Sequence, residues 1–230
     1  MAATGDAANP SVVLFGGTAR TDEAHDTALG DTWFFSGGKW TNANLQPPLA
    51  PNPRWGHSMS CRPGSWLEPG GSATSDCALF GGAALSEDDH FDDTWMLTSA
   101  GWKQSQPGVA RPGPKPAGRW SFQMSSCGSG VLMAGGSIGY RVCTDDTWTF
   151  NATVFPSKWT TATVNHDAYG EWKSQNPPIH PGYLGGAMMA RVSDAGLKGV
   201  IHFGGVAFQA EPGTPDQANA THFWPASSCP

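Results

Sequence analysis

Acidic and imidazole side chains gather in two stretches of the chain. Residues 18–30 carry Arg20, Asp22, Glu23, His25 and Asp26, and residues 83–92 carry Glu87, Asp88, Asp89, His90 and Asp92. Two further stretches, 137–145 and 206–220, contribute Tyr140, Arg141 and Cys143, then Glu211 and Asp216. Clustered carboxylates can hold calcium, and carboxylate with imidazole can hold iron or zinc. The aspartates neither alternate nor flank a central glycine as a calcium loop requires. No Cys-x-x-Cys pair supports a zinc site. The expectation is a solvated, charged binding surface made of Asp22, Glu23, His25, Asp26, Asp88, Asp89, His90 and Arg141. No catalytic residue, metal or cofactor is expected.

The elements that must carry these stretches repeat along the chain. A short apolar run ends in Gly-Gly four times: VVLFGG, CALFGG, VLMAGG and VIHFGG. Asp-Thr-Trp follows the first three, at Asp31, Asp93 and Asp146, and a second tryptophan follows each, at Trp40, Trp102 and Trp159. Ahead of the apolar run stands a segment such as Arg54-Trp55-Gly56-His57-Ser58-Met59, which recurs from Arg119 and, loosely, from Tyr183. Each piece is four to eight residues long and bounded by turn residues, which is the pattern of strands. None holds a 3.6-residue apolar period long enough for a helix. Each unit therefore reads as a four-stranded antiparallel sheet with the charged stretches on the loops between its second and third strands. Paired glycines at a strand end admit positive φ and close approach of a neighbouring chain. Trp33, Trp95 and Trp148 are the expected packers over them, and Asp31, Asp93 and Asp146 the expected turn or strand caps.

Composition agrees. The 230 residues include 30 Gly and 19 Pro, and 14% are charged. Such a chain disfavours long helices, while 11 Trp residues are too many for a disordered segment. A net charge of −6 argues against a nucleic-acid surface. No apolar run approaches the roughly 20 residues that span a bilayer as a helix.

The apolar Gly-Gly run, the spaced tryptophans and the Arg-x-Gly-His strand resemble the kelch repeat. The resemblance covers residues 11–224 and is weakest in the last unit, where Ala220-Thr221-His222 replaces Asp-Thr-Trp. It implies an all-β fold: a kelch-type β-propeller or propeller segment of about four blade units, spanning roughly 11–50, 51–112, 113–176 and 177–230. Residues 1–10 would be an N-terminal extension. Neither the carboxylate–histidine iron spacing of kelch-type specifier proteins nor the Tyr/Cys/His copper set of galactose oxidase relatives is present. His57 resembles the family's structural inner-strand histidine.

A strand count leaves the first blade without its inner strand and the last without its outer one. Three arrangements follow: a segment of a larger propeller, closure through another chain, or an imperfect four-bladed ring. The expected function is non-catalytic, a loop face that binds another protein chain, which could also complete the open blade edges. The alternative is a propeller-type enzyme or carbohydrate-binding module with its site on the same face. Cys61 and Cys77 end neighbouring antiparallel strands and are expected to form a disulfide, whereas Cys127–Cys143 fits poorly. Asn151 and Asn219 begin glycosylation sequons. Sequons and disulfide together fit a secreted or luminal setting.

Overall fold

The computed structural model describes residues 1–3, 11–20, 26–45, 50–61, 77–84, 89–98, 100–106, 115–128, 130–139, 142–144, 146–151, 158–161, 183–184, 188–194, 197–203, 206–207, 216–217 and 221–226. Among them there is no α-helix, and the chain is laid out as successive antiparallel sheets. The first contains β1 (Ala2–Ala3), β2 (Val12–Arg20), β3 (Asp26–Ser36) and β4 (Lys39–Asn42) in that order. The second contains β5 (Ser58–Cys61), β6 (Cys77–Phe80), β7 (Thr94–Thr98) and β8 (Gly101–Gln106). The third runs β9 (Gln123–Cys127), β10 (Gly130–Ala134), β13 (Thr147–Asn151), β14 (Lys158–Thr161), with a small hairpin, β11 (Ser137–Gly139) and β12 (Val142–Cys143), between β10 and β13. In the last unit β16 (Met188–Asp194), β17 (Leu197–Phe203) and β20 (Thr221–Pro225) form one sheet, and β15 (Tyr183–Leu184), β18 (Val206–Ala207) and β19 (Asp216–Gln217) another.

The four innermost strands stand in series: β1 beside β5, β5 beside β9, and β9 beside β16. This is the blade arrangement of a β-propeller. Strand periodicity explains the core between blades. Successive side chains on a strand face opposite ways. On β6, Cys77 and Leu79 join Val13, Phe15 and Met59 of one cluster, while Ala78 and Phe80 join Phe122, Met124 and Met133 of the next. Both faces of the strand are covered, so all four of its residues are buried.

Two expectations are corrected. The first sheet does have an inner strand: Ala2 and Ala3 pair with Val13 and Val12. Ala2 and Ala3, placed ahead of the repeat, thus join its first sheet. The glycine pairs, too, are covered by something other than expected. In three units both glycines have positive φ, 55° and 113° at Gly16–Gly17, 65° and 92° at Gly81–Gly82, and 65° and 106° at Gly135–Gly136. What lies nearest is inner-strand backbone and the residues around it. A Cβ on Gly16 would stand 2.6 Å from the Arg54 carbonyl, and one on Gly81 would stand 2.5 Å from the Arg119 carbonyl. Gly17 donates to the Arg54 carbonyl at 2.9 Å and Gly82 to that of Arg119 at 2.8 Å. The first two pairs are therefore where one blade hydrogen-bonds to the next.

The same glycines divide the first three blades into two tiers, and the last unit likewise has two sheets. Beyond them a second, narrower set of pairings begins: Trp55 with Ala83 and Ala83 with His90, Trp120 with Ser137 and Ser137 with Cys143, and β15 with β18 and β19. In the first unit β2 and β3 run through a bulge at Phe15/Gly17 and continue to Arg20 opposite Asp26.

Candidate functional site

The upper tier carries the described parts of the charged stretches, such as Arg20, Asp26, Asp89 and His90, so the candidate surface is a set of hairpin strands on a lower sheet. Asp26 opens β3 at the exposed tip of the first hairpin and lies 3.6 Å from Arg20 across the strand pair. Asp89 is exposed, and its carbonyl accepts the Ala84 N–H at 3.4 Å. His90 is half-buried in the strand pair with Ala83, and its Nε2 is buried without a hydrogen-bond partner. Asp22, Glu23, His25, Asp88, Arg141 and Asn219 lie outside the described residues. Asn151 is the last residue of β13, paired with Lys158. Among the described residues no three His, Cys, Asp or Glu side chains could hold a metal ion together.

Nearer the inner strands the upper tier is aromatic. Trp55 and Trp120 meet with ring centroids 5.1 Å apart, and the Trp120 Nε1 is buried without a partner. His57 packs edge-on against Phe15 at 5.6 Å. Burial, then the positive N-terminus and Arg54, pushes its imidazole down to about 3, against a raising hydrogen bond to the Phe15 backbone. Burial thus keeps it neutral near pH 7, which fits a structural role.

The most organised electrostatics lie at the joint between the tiers, on residues read above only as caps. Arg54 is fully buried. Its Nη1 donates to the Gly81 carbonyl at 2.9 Å and to Asp93 Oδ1 at 2.6 Å, and its Nη2 donates to Asp93 Oδ2 at 2.9 Å. Trp95 Nε1 donates to the same Oδ2 at 2.7 Å. Arg119 repeats the set with Gly135, Asp146 and Trp148. Burial alone would raise the Asp146 carboxyl. Hydrogen bonds from Arg119 and Trp148, the Arg119 charge and the Thr144 hydroxyl outweigh burial and hold it below the usual range. Trp95 and Trp148 are accordingly half-buried donors to an aspartate, not covers for glycine. The signal existed in sequence as an arginine opening the inner-strand segment of the second and third units. Unequal loops obscured it, since the partners are 39 residues apart in one unit and 27 in the next.

Cys61 and Cys77 are bonded, with Cα atoms 3.9 Å apart, directly opposite one another on β5 and β6. Cys127 is disulfide-bonded as well.

No protein-family model matches the chain. It is 28% identical over 169 residues to adagio-like protein 2 of Oryza sativa subsp. japonica, across 67% of this chain and 23% of that protein. It is 27% identical over 202 residues to adagio-like protein 1 of the same plant, across 85% of this chain and 26% of the relative. The chain thus spans about a quarter of the curated relatives it matches. Among solved structures it resembles YjhT with a TM-score of 0.62 at 14% identity, covering 96% of this chain and 66% of that one. At that identity the likeness establishes the propeller-like fold alone.

Proposed function

We propose that the chain is a kelch-type protein-interaction module that binds a partner chain through its upper hairpin tier and performs no chemistry itself. The observation that carries this reading is the two-tier blade. Buried Arg–Asp pairs and a two-faced core hold the lower sheets, and polar hairpin ends such as Arg20 and Asp26 stand free above them. Loops on a rigid scaffold are where binding concentrates. Low-identity likeness to adagio-like proteins supports the same class. Sequence further places Asp22, Glu23, His25, Asp88, Asp89, His90 and Arg141 on this face, and we propose them as contact residues.

The test is affinity capture with the native chain beside an Arg20→Glu/Asp26→Lys/Asp89→Lys variant. Loss of a stoichiometric partner from the variant, at unchanged melting temperature, is the expected result. A partner retained equally by both chains would place the interaction elsewhere. The Trp55–Trp120 pair favours one second reading, carbohydrate binding on the same tier, because indole faces stack on sugar rings. Tryptophan fluorescence titrated with neutral oligosaccharides separates the two. Saturable quenching lost in Trp120→Ala would favour the sugar.

A further inference from the structure

Strand register makes the four blades comparable position by position. Phe80 lies opposite Thr94, Ala134 opposite Thr147, Phe15 opposite Thr32, and Phe203 opposite Thr221. On the inner side Ser58 lies opposite Phe80, Gln123 opposite Ala134, and Met188 opposite Phe203. The residue before each threonine and the residue four ahead of each inner-strand start then correspond. In blades two and three these are Asp93 with Arg54 and Asp146 with Arg119, both paired. In the last blade the sequence has Ala220 and Leu184 at the two positions, so aspartate and arginine disappear together. That is what burial demands, because a lone buried charge is costly while an apolar pair is not.

The first blade breaks the rule. Asp31 is kept, and so is its indole donor, since Trp33 Nε1 bonds Asp31 Oδ2 at 2.5 Å. Yet Asp31 Oδ1, the atom matching the arginine acceptors Asp93 Oδ1 and Asp146 Oδ1, is buried with no hydrogen-bond partner. The Gly16 carbonyl holds the position of the Gly81 and Gly135 carbonyls that take the other half of each guanidinium. Because Ala2 lies opposite Val13 as Ser60 lies opposite Ala78, Met1 stands at the position of Met59. The arginine position therefore falls five residues ahead of Met1.

From this we infer that Asp31 Oδ1 and the Gly16 carbonyl form a guanidinium-binding site for an arginine on an extended segment aligned with β1, supplied from outside these 230 residues. The segment is recognised as Arg54 is: two parallel N–H bonds to the carboxylate and one to the glycine carbonyl. A lysine cannot reproduce that fork. The site lies at the joint of the first blade, apart from the hairpin tips of the interaction reading, so either can fail without the other.

Two arms test it. In one, the peptide acetyl-Pro-Asn-Pro-Arg-Trp-Gly-His-Ser-amide, copied from residues 51–58, is titrated into the native chain. In the other, Arg-Trp-Gly-His-Ser is added directly before Met1, which sets an arginine at the matching position. We expect the peptide to bind with a dissociation constant below about 1 mM, and about tenfold more weakly with lysine for arginine. We expect the extension to raise the thermal midpoint by about 5 °C. Both effects vanish in Asp31→Asn, which keeps an acceptor for Trp33. Success of the peptide assigns the arginine to a separate chain, and success of the extension alone assigns it to the same polypeptide. No arginine-dependent gain in either arm, or equal gains in Asp31→Asn, overturns the inference.

Discussion

Replacing Arg54 by Leu and Asp93 by Ala, singly and together, examines the central electrostatic feature of the fold. The Arg54 side chain is 0% exposed and that of Asp93 14%. Arg54→Leu leaves the Asp93 carboxylate with the Trp95 indole as its named donor and strips the Gly81 carbonyl of its guanidinium. Asp93→Ala leaves a fully buried cation with only the Asn52 and Gly81 carbonyls as acceptors. Breaking a buried ion pair from one side costs about 3–5 kcal/mol. Each single variant should therefore lose about 4 kcal/mol. The double variant removes both charges and restores the Leu/Ala combination of the last blade. Its remaining losses are the Trp95 acceptor, the Gly81 donor and some packing volume, about 5 kcal/mol in all. The singles would sum to about 8 kcal/mol, so the coupling is about 3 kcal/mol, the upper end for contacting residues. Equilibrium unfolding in urea, at constant m-value, measures all four corners. Coupling below about 0.5 kcal/mol would refute the argument, because Arg54 would then act through bulk rather than through its pairing.

Other outcomes follow from individual residues. His57 is held neutral by a folded pKa of about 3, far below the ordinary 6.5, so the unfolded chain binds the extra proton between those values. Stability should be full above about pH 6.5 and fall by about 1.4 kcal/mol per pH unit toward pH 3. Denaturation midpoints against pH for His57→Phe, the residue found at the matching position as Phe122, should lose that slope. Asp146, held low, contributes stability above about pH 4 that disappears as pH falls through its folded value. Arg119→Met should remove this acid-side loss in the same titration. Cys61→Ser/Cys77→Ser, which opens a bridge of sequence separation 16, should cost about 3 kcal/mol by urea unfolding. Gly82→Ala should destabilise by at least about 2 kcal/mol, because its φ is +92° and a Cβ would stand 2.8 Å from the Trp55 carbonyl. Gly37→Ala, at +58° with open space, should cost only about 1 kcal/mol in the same melt.

Strands two and three of each blade, and strand four of the first three, were legible because apolar runs there meet turn signals, as in Cys77–Phe80 followed by Gly-Gly. The disulfide was legible because its cysteines end adjacent strands. Ala2–Ala3 was not, since two alanines carry neither alternation nor β-branching, and only their pairing with β2 defines them. The upper-tier hairpins were hidden for the same reason: Val206–Ala207 and a single Ala83–His90 bridge are too short to show a period. The role of the Asp-Thr-Trp aspartate was missed because an isolated Asp before a strand resembles a cap. Its meaning lies in an arginine that loop length moves from unit to unit. Of the proposed contact residues, the structure gives positions to Asp26, Asp89 and His90 and brings Arg20 beside Asp26.

The glycine joint also separates what can change from what cannot. Below it, every residue of a strand such as β6 touches two blades, so an altered length would shift a register shared with both neighbours. Above it, the hairpins of the four units already differ in length and composition while the sheets beneath keep one alignment. Loops can thus be exchanged, lengthened or shortened at that seam without rewriting the core. Graft boundaries for engineering this chain belong immediately after Gly17, Gly82 and Gly136.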